Sequence, residues 1–200
     1  MTRIAAFDYP ANPHLRRHGP AGYDDYESYR DWLRDEWTFR CVFCLHRERW
    51  TQGGYFHIDH LEPVATAPHR VCDYENLLYV CVRCNLLKGN ARLPDPCAVA
   101  LDECLRINED GTIDALNDDG KLLMLVLRLD CPKRAKYRGT MIQTLLVLRE
   151  SEPSLFSEHL RYPDDLPDLT KKQPKANSRP DGVRQCYFAC RQRGELPATY

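Results

Sequence analysis

The sequence has no apolar run long enough to cross a bilayer. The longest, residues 122–127 within KLLMLVLRLD, falls far short of the ~20 residues that a spanning helix needs. Neither sign of charge is in surplus. Against 28 Lys and Arg stand 29 Asp and Glu, so a formal net charge of −1 draws the chain neither to a polyanion nor to an anionic membrane. Any contact with nucleic acid must come from a local patch. The N-terminal stretch MTRIAAFDYP has no apolar segment ahead of a small-residue cleavage site, as a secretory leader would. The expectation is a cytoplasmic protein without a membrane partner, in a compartment where thiols stay reduced. No repeat is visible beyond one motif that occurs twice.

What is present suits a soluble globular chain. It has 200 residues, 43% of them hydrophobic and 28% charged, enough for one domain with an added lobe. Residues 1–38 read as a loosely packed arm followed by a helix over 24–38. There Tyr26, Tyr29, Leu33 and Trp37 fall on one face as a packing stripe. Residues 39–92 hold most of the chemistry. Residues 93–150 read as a small hairpin around Asp110-Gly111, a helix from about Lys121 and a second helix over 137–150. Residues 151–200 read as a polar linker, mobile over KKQPKANSRPDG, and a tail with one short helix.

Ten cysteines need an account. Cys41, Cys44, Cys81 and Cys84 form two Cys-x-x-Cys pairs. Two residues between thiols let one tight turn present both sulfurs to a single tetrahedral ion. In a reducing compartment, four thiolates point to structural Zn²⁺. The interval between the pairs exceeds the ~15–20 residues of simple zinc ribbons, so the metal closes a loop that has room for something else. The other six cysteines read mostly as small buried hydrophobes.

Inside that loop lies FHIDHLEP. Residues 55–61 alternate as a strand, with His57 and Asp59 on one side and Ile58 on the other. Pro63 marks its end. The residue types suit metal-assisted phosphodiester hydrolysis. Asp59 offers a carboxylate to a hard divalent ion such as Mg²⁺, and Asn85 offers a second oxygen. Neutral His60, with an ordinary pKa near ~6.5, takes a proton from water. Asn85 follows Cys84, so a helix over 82–90 would let the zinc fix the residue that ligates the second metal. Asn76 would tie the connecting loop through backbone hydrogen bonds.

The ordered set C41-x2-C44, H57-x-D59-H60-L-x-P63, N76-L77 and C81-x2-C84-N85-x2-K88-G89 resembles the HNH endonuclease family, in its zinc-bearing form with two knuckles. The resemblance covers about a quarter of the chain. It implies an α+β protein with a ββα-metal core (the His-Me finger) carrying added helices and a small hairpin. It also implies His60 as general base, Asp59 and Asn85 as ligands of a catalytic Mg²⁺ or similar ion, and Asn76 orienting the loop. The family's last motif position is often histidine, and here it is Asn85. His57 stands outside the motif. Its role is left open between a metal or phosphate contact and packing. The loop over 65–73 lacks the glycine pair common at that place.

Arg47, Arg49, Arg83, Lys88 and Arg92 gather around the motif as candidates for phosphate contacts, against the plainer alternative of solvated surface charge. The partner so implied is nucleic acid, DNA first. With so small a basic surface, a protein partner or a homo-oligomer would help deliver the substrate. The competing reading is a catalytically inert, zinc-stapled binding module. Such a module has no need for His60, Asp59 and Asn85 together.

Overall fold

The computed structural model describes residues 4–50 and 56–200. Among them are seven α-helices and three two-stranded antiparallel pairs. In chain order these are β1 (Pro20–Ala21), α1 (Arg30–Glu36), β2 (Phe56–His60), β3 (Leu77–Cys81), α2 (Val82–Lys88), α3 (Leu101–Cys104), β4 (Leu105–Ile107), β5 (Ile113–Ala115), α4 (Asp118–Leu127), α5 (Pro132–Ser151), α6 (Pro153–Leu160), β6 (Ala176–Asn177) and α7 (Tyr187–Gln192). The pairs are β1 with β6, β2 with β3, and β4 with β5. The chain is thus a mixed α+β protein whose sheets are small.

The centre is the β2–β3 pair. Every residue of β3, LLYVC, is buried, because α1 packs against this strand and α2 lies over the pair. A strand covered on both faces reads as a continuous apolar run. Its register sets Phe56 opposite Cys81 at one end and His60 opposite Leu77 at the other. Tyr29, Trp32 and Leu33 from the neighbouring helical segment are fully buried beneath it. The expected stripe therefore packs into the core. Its first turn is 3-10 over Tyr26–Tyr29, with Asp25 accepting from the Glu27 N–H, and the α-helix starts at Arg30.

The hairpin and helix expected near Asp110 and Lys121 form as β4–β5 and α4. Asn117 caps α4 by accepting from the Gly120 N–H at 2.8 Å. Pro132 opens α5 at a position where its missing N–H costs nothing. Gly139 lets α5 pass the hairpin turn, since a Cβ there would stand 2.3 Å from the Asp110 carbonyl oxygen.

Two expectations about the ends are corrected. Residues 4–22, the described part of the expected arm, are not loose. Arg16 donates to the Leu77 carbonyl at 2.7 Å and lies over the rings of Trp37 and Tyr74. The arm also brings His18 onto Asp35 at 2.8 Å and His14 onto Glu36 at 2.7 Å. Nor is the 171–182 stretch a free linker. Residues 176–177 pair with 20–21, and Arg179 bonds the His18 carbonyl and Glu75. The buried carboxylates of α1 hold both ends, since Asp35 also accepts from the Tyr187 N–H that opens α7. One buried apolar cluster accordingly runs from Ile4 to Ala189.

Of the six remaining cysteines, only Cys104 and Cys186 are buried. The other four are half-buried, so the expectation of buried hydrophobes holds for two of them. Cys186 caps α7 by accepting from the Ala189 N–H.

Glu36 gives a pH prediction. Burial opposes its charge, but His14, the Arg17 N–H and His18 outweigh burial and hold the carboxyl down at about 2, from an ordinary 4.5. A depressed carboxyl contributes stability that is present above the ordinary value and is lost as pH falls through the folded one. Stability is therefore expected to fall by on the order of 3 kcal/mol between about pH 5 and pH 2. Glu36→Gln is expected to flatten that part of a denaturant-melt pH series. An unchanged slope would contradict this account of the anchor.

Candidate active site and metal centre

The knuckle 41–46 is a tight turn. The Cys41 N–H donates to the His46 carbonyl, and the Leu45 N–H donates back to Cys41. The Val42 N–H reaches the Tyr79 carbonyl of β3 at 3.1 Å, which fastens the first pair of cysteines to the strand that carries the second. Cys81 ends β3, and Cys84 lies one turn into α2. All four Sγ atoms are buried and lie within 4.8 Å of one another. Cys44 and Cys81 sulfurs are 3.7 Å apart. A tetrahedral ion with Zn–S bonds of about 2.3 Å sets its sulfurs about 3.8 Å apart, so the cluster has the dimensions of a Zn(Cys)₄ site.

One partner to this cluster has no local sign in the sequence. Arg134, fifty residues along on α5, brings Nη2 to 3.4 Å from Cys84 Sγ. Burial works against its charge, yet the Cys44 and Cys84 sulfurs overcome this and raise its pKa. Four thiolates around Zn²⁺ leave a local double negative charge, and this half-buried guanidinium offsets part of it.

At the other end of β2 stand Asp59 and His60, both nearly buried. His60 Nε2 lies 3.0 Å from the Val71 carbonyl oxygen. A carbonyl only accepts, so Nε2 carries a hydrogen, and in the neutral ring it is Nδ1 that has the lone pair. Tyr26 meets the imidazole edge-on at 5.1 Å. Asp59 Oδ1 accepts from the His60 N–H at 2.8 Å and from Lys88 Nζ at 3.2 Å. Its other oxygen, Oδ2, is buried and has no hydrogen-bond partner among the described residues. Burial pushes the Asp59 carboxyl up, and Lys88 pulls it back. A buried carboxylate oxygen without a partner is costly. A hard cation is the kind of ligand that would satisfy it.

Asn76 sits fully buried at the start of β3 and ties down the loop after His60. Its Oδ1 accepts from the Glu62 N–H at 2.8 Å. Its Nδ2 donates to the Glu62 carbonyl at 3.1 Å and the Arg70 carbonyl at 3.3 Å. The same loop carries Val71, the acceptor that orients His60. Asn85 lies on α2, half-buried, three residues before Lys88 and so on an adjoining strip of the helix. His57 is half-buried in β2, paired across to Val80 and two residues from Asp59 on the same side. No polar contact of its ring is recorded among the described residues.

The basic candidates divide. Lys88, expected on phosphate, has a fully buried head group that donates to the His60 carbonyl at 2.6 Å as well as to Asp59. Arg47 is also fully buried. It donates to the Leu160 carbonyl and the Tyr200 carbonyl and stacks 4.0 Å from the Tyr200 ring centre. Arg49 is taken up by Glu158 and Asp164. Lys88 and Arg47 thus differ from the expectation, because their charges are spent inside the protein, while Arg49 pairs with carboxylates at the surface. Arg83 and Arg92 remain on the surface, and Arg92 has Glu62 at 3.7 Å.

Among protein-family models, that of the HNH endonuclease matches residues 41–91. The match takes in both cysteine pairs, β2, β3 and α2. This stretch is therefore an HNH endonuclease domain with its four cysteines clustered as in the zinc-binding form. No curated protein matches the chain. Among the described residues no helix is long and apolar enough to cross a membrane.

Proposed function

We propose that the protein is a metal-dependent endonuclease that hydrolyses phosphodiester bonds of nucleic acid, DNA first, on a ββα-metal core formed by β2, β3 and α2. Zn²⁺ held by Cys41, Cys44, Cys81 and Cys84 is the structural ion. Asp59, through its unpartnered Oδ2, and Asn85 would hold a Mg²⁺-like ion. That ion, when bound, supplies charge stabilisation to the phosphate and the leaving oxygen.

The observation that carries the reading is the state of His60. Its Nε2–H is spent on the Val71 carbonyl, and this supports Nδ1 as the atom that takes a proton from the attacking water. Asn76 acts through the loop, keeping Val71 where it orients the ring. Lys88 holds the Asp59 carboxylate by Oδ1 and so leaves Oδ2 for the ion. The inert binding-module reading leaves both the polarised His60 and the unsatisfied Asp59 oxygen without a purpose.

The test is cleavage of duplex DNA, single-stranded DNA and RNA by zinc-loaded protein, with and without Mg²⁺. Cleavage that needs Mg²⁺ is the expected result. Failure to cut all three substrates with any divalent ion would overturn the proposal.

A further inference from the structure

A second feature lies at the opposite end of β2 from His60. A cavity of about 360 Å³ opens where the first turn of α5 faces the zinc knuckle. Its walls include His46, Trp50, Phe56 and Tyr137, with Arg83 and Lys133 among the lining cations. The aromatic groups are already arranged as a cluster. His46 lies parallel to Phe56 at 6.2 Å and meets Tyr137 and Trp50 at 6.0 Å. Tyr137 keeps 43% of its surface exposed. Among the described residues neither Arg83 nor Lys133 has a carboxylate partner. No part of the proposed hydrolysis uses any of these groups.

We infer that this cavity is a nucleobase subsite. One base of the bound strand, unstacked from its neighbours, enters the cavity and lies against its aromatic wall, and its flanking phosphates lie on Arg83 and Lys133. The inference rests on the nuclease reading and adds a substrate class to it: a strand with at least one base free of the helical stack. Flat aromatic walls accept any base by stacking, and cations at the mouth match the backbone. A volume of this size is within the range of small-ligand pockets.

Placement supports the assignment. Val82 and Arg83 begin the helix that also carries Asn85 and Lys88. Phe56 begins the strand that ends in Asp59 and His60. At about 3.3 Å per residue, the cavity lies some ~10–13 Å from His60 along β2. A stacked strand covers that distance in three or four nucleotides at ~3.4 Å each, and an extended one in fewer. A strand running beside α2 thus reaches both places.

The experiment uses the full-length, zinc-loaded His60→Ala protein, so that binding is read without cleavage. A labelled single-stranded DNA oligomer is bound in Mg²⁺, with one abasic site moved along it position by position. One position is expected to weaken binding by about tenfold to a hundredfold. That penalty is expected to vanish when the same series is run in the Tyr137→Ala background. Arg83→Ala is expected to weaken every oligomer alike and to lower the salt slope by about one. A flat abasic scan, or a penalty that survives Tyr137→Ala, would overturn the subsite. If His60-dependent cleavage persists in that case, the nuclease reading stands without it. If the oligomer does not bind at all, the subsite falls, and cleavage of duplex DNA and RNA decides the nuclease reading separately.

Discussion

Replacing His60 with alanine is expected to lower nucleic-acid cleavage by about 10²–10⁴-fold, the usual contribution of a positioned general base. Zinc content is expected to stay unchanged. The ring is held at two points, Nε2 on the Val71 carbonyl and an edge on Tyr26, and the backbone N–H of His60 is held by Asp59. In the proposed mechanism Nδ1 is the nitrogen left to take the proton. The zinc cluster sits at the other end of the β2–β3 pair, where Phe56 faces Cys81, so losing the imidazole does not disturb it. The check is a cleavage rate for the variant beside its zinc content and circular dichroism. A folded, zinc-loaded His60→Ala protein that cuts as fast as wild type would remove His60 from the mechanism even if the activity stood.

Cys84→Ser is expected to have the largest effect on the fold. Structural zinc contributes about 10–16 kcal/mol of binding free energy in small domains, and most of it appears as folding free energy. Cys84 is fully buried, sits in the first turn of the helix that carries Asn85 and Lys88, and meets Arg134. Without its thiolate, the zinc loses one of four ligands and Arg134 loses its nearest negative partner. The variant is expected to purify with little or no zinc and to lose the cooperative melt of the 41–91 region. Full zinc occupancy with an unchanged melting temperature would contradict a four-cysteine staple.

The cysteine cluster was legible in the sequence because its geometry is local: each pair is one tight turn, and Cys-x-x-Cys spacing fixes where two sulfurs can go. The strand with Asp59 and His60 and the helix after Cys81 were legible for the same reason. Other parts depend on contacts between distant residues. Arg47 reads as a surface cation until Tyr200, at the far end of the chain, closes over it. Lys88 reads as a phosphate contact until α2 folds onto β2 and puts its head group against Asp59. The arm reads as loose because its proline- and glycine-bearing stretch has no period. What holds it is a set of buried ion pairs with Asp35 and Glu36, which no local pattern announces. Arg134 and the cavity beside it belong to a helix outside the HNH match, and nothing in the local sequence points to either.

In the proposed function two metals divide the work, one closing the loop and the other serving the chemistry inside it. The most direct measurement is a Mg²⁺ titration of zinc-loaded protein, following cleavage of one phosphodiester bond while zinc per chain is counted throughout. The account predicts about one tightly held zinc per chain, no cleavage until Mg²⁺ is added, and a saturating rise in rate with the zinc count unchanged. Cleavage at full rate by the zinc-loaded protein without Mg²⁺ or another added divalent ion would contradict it.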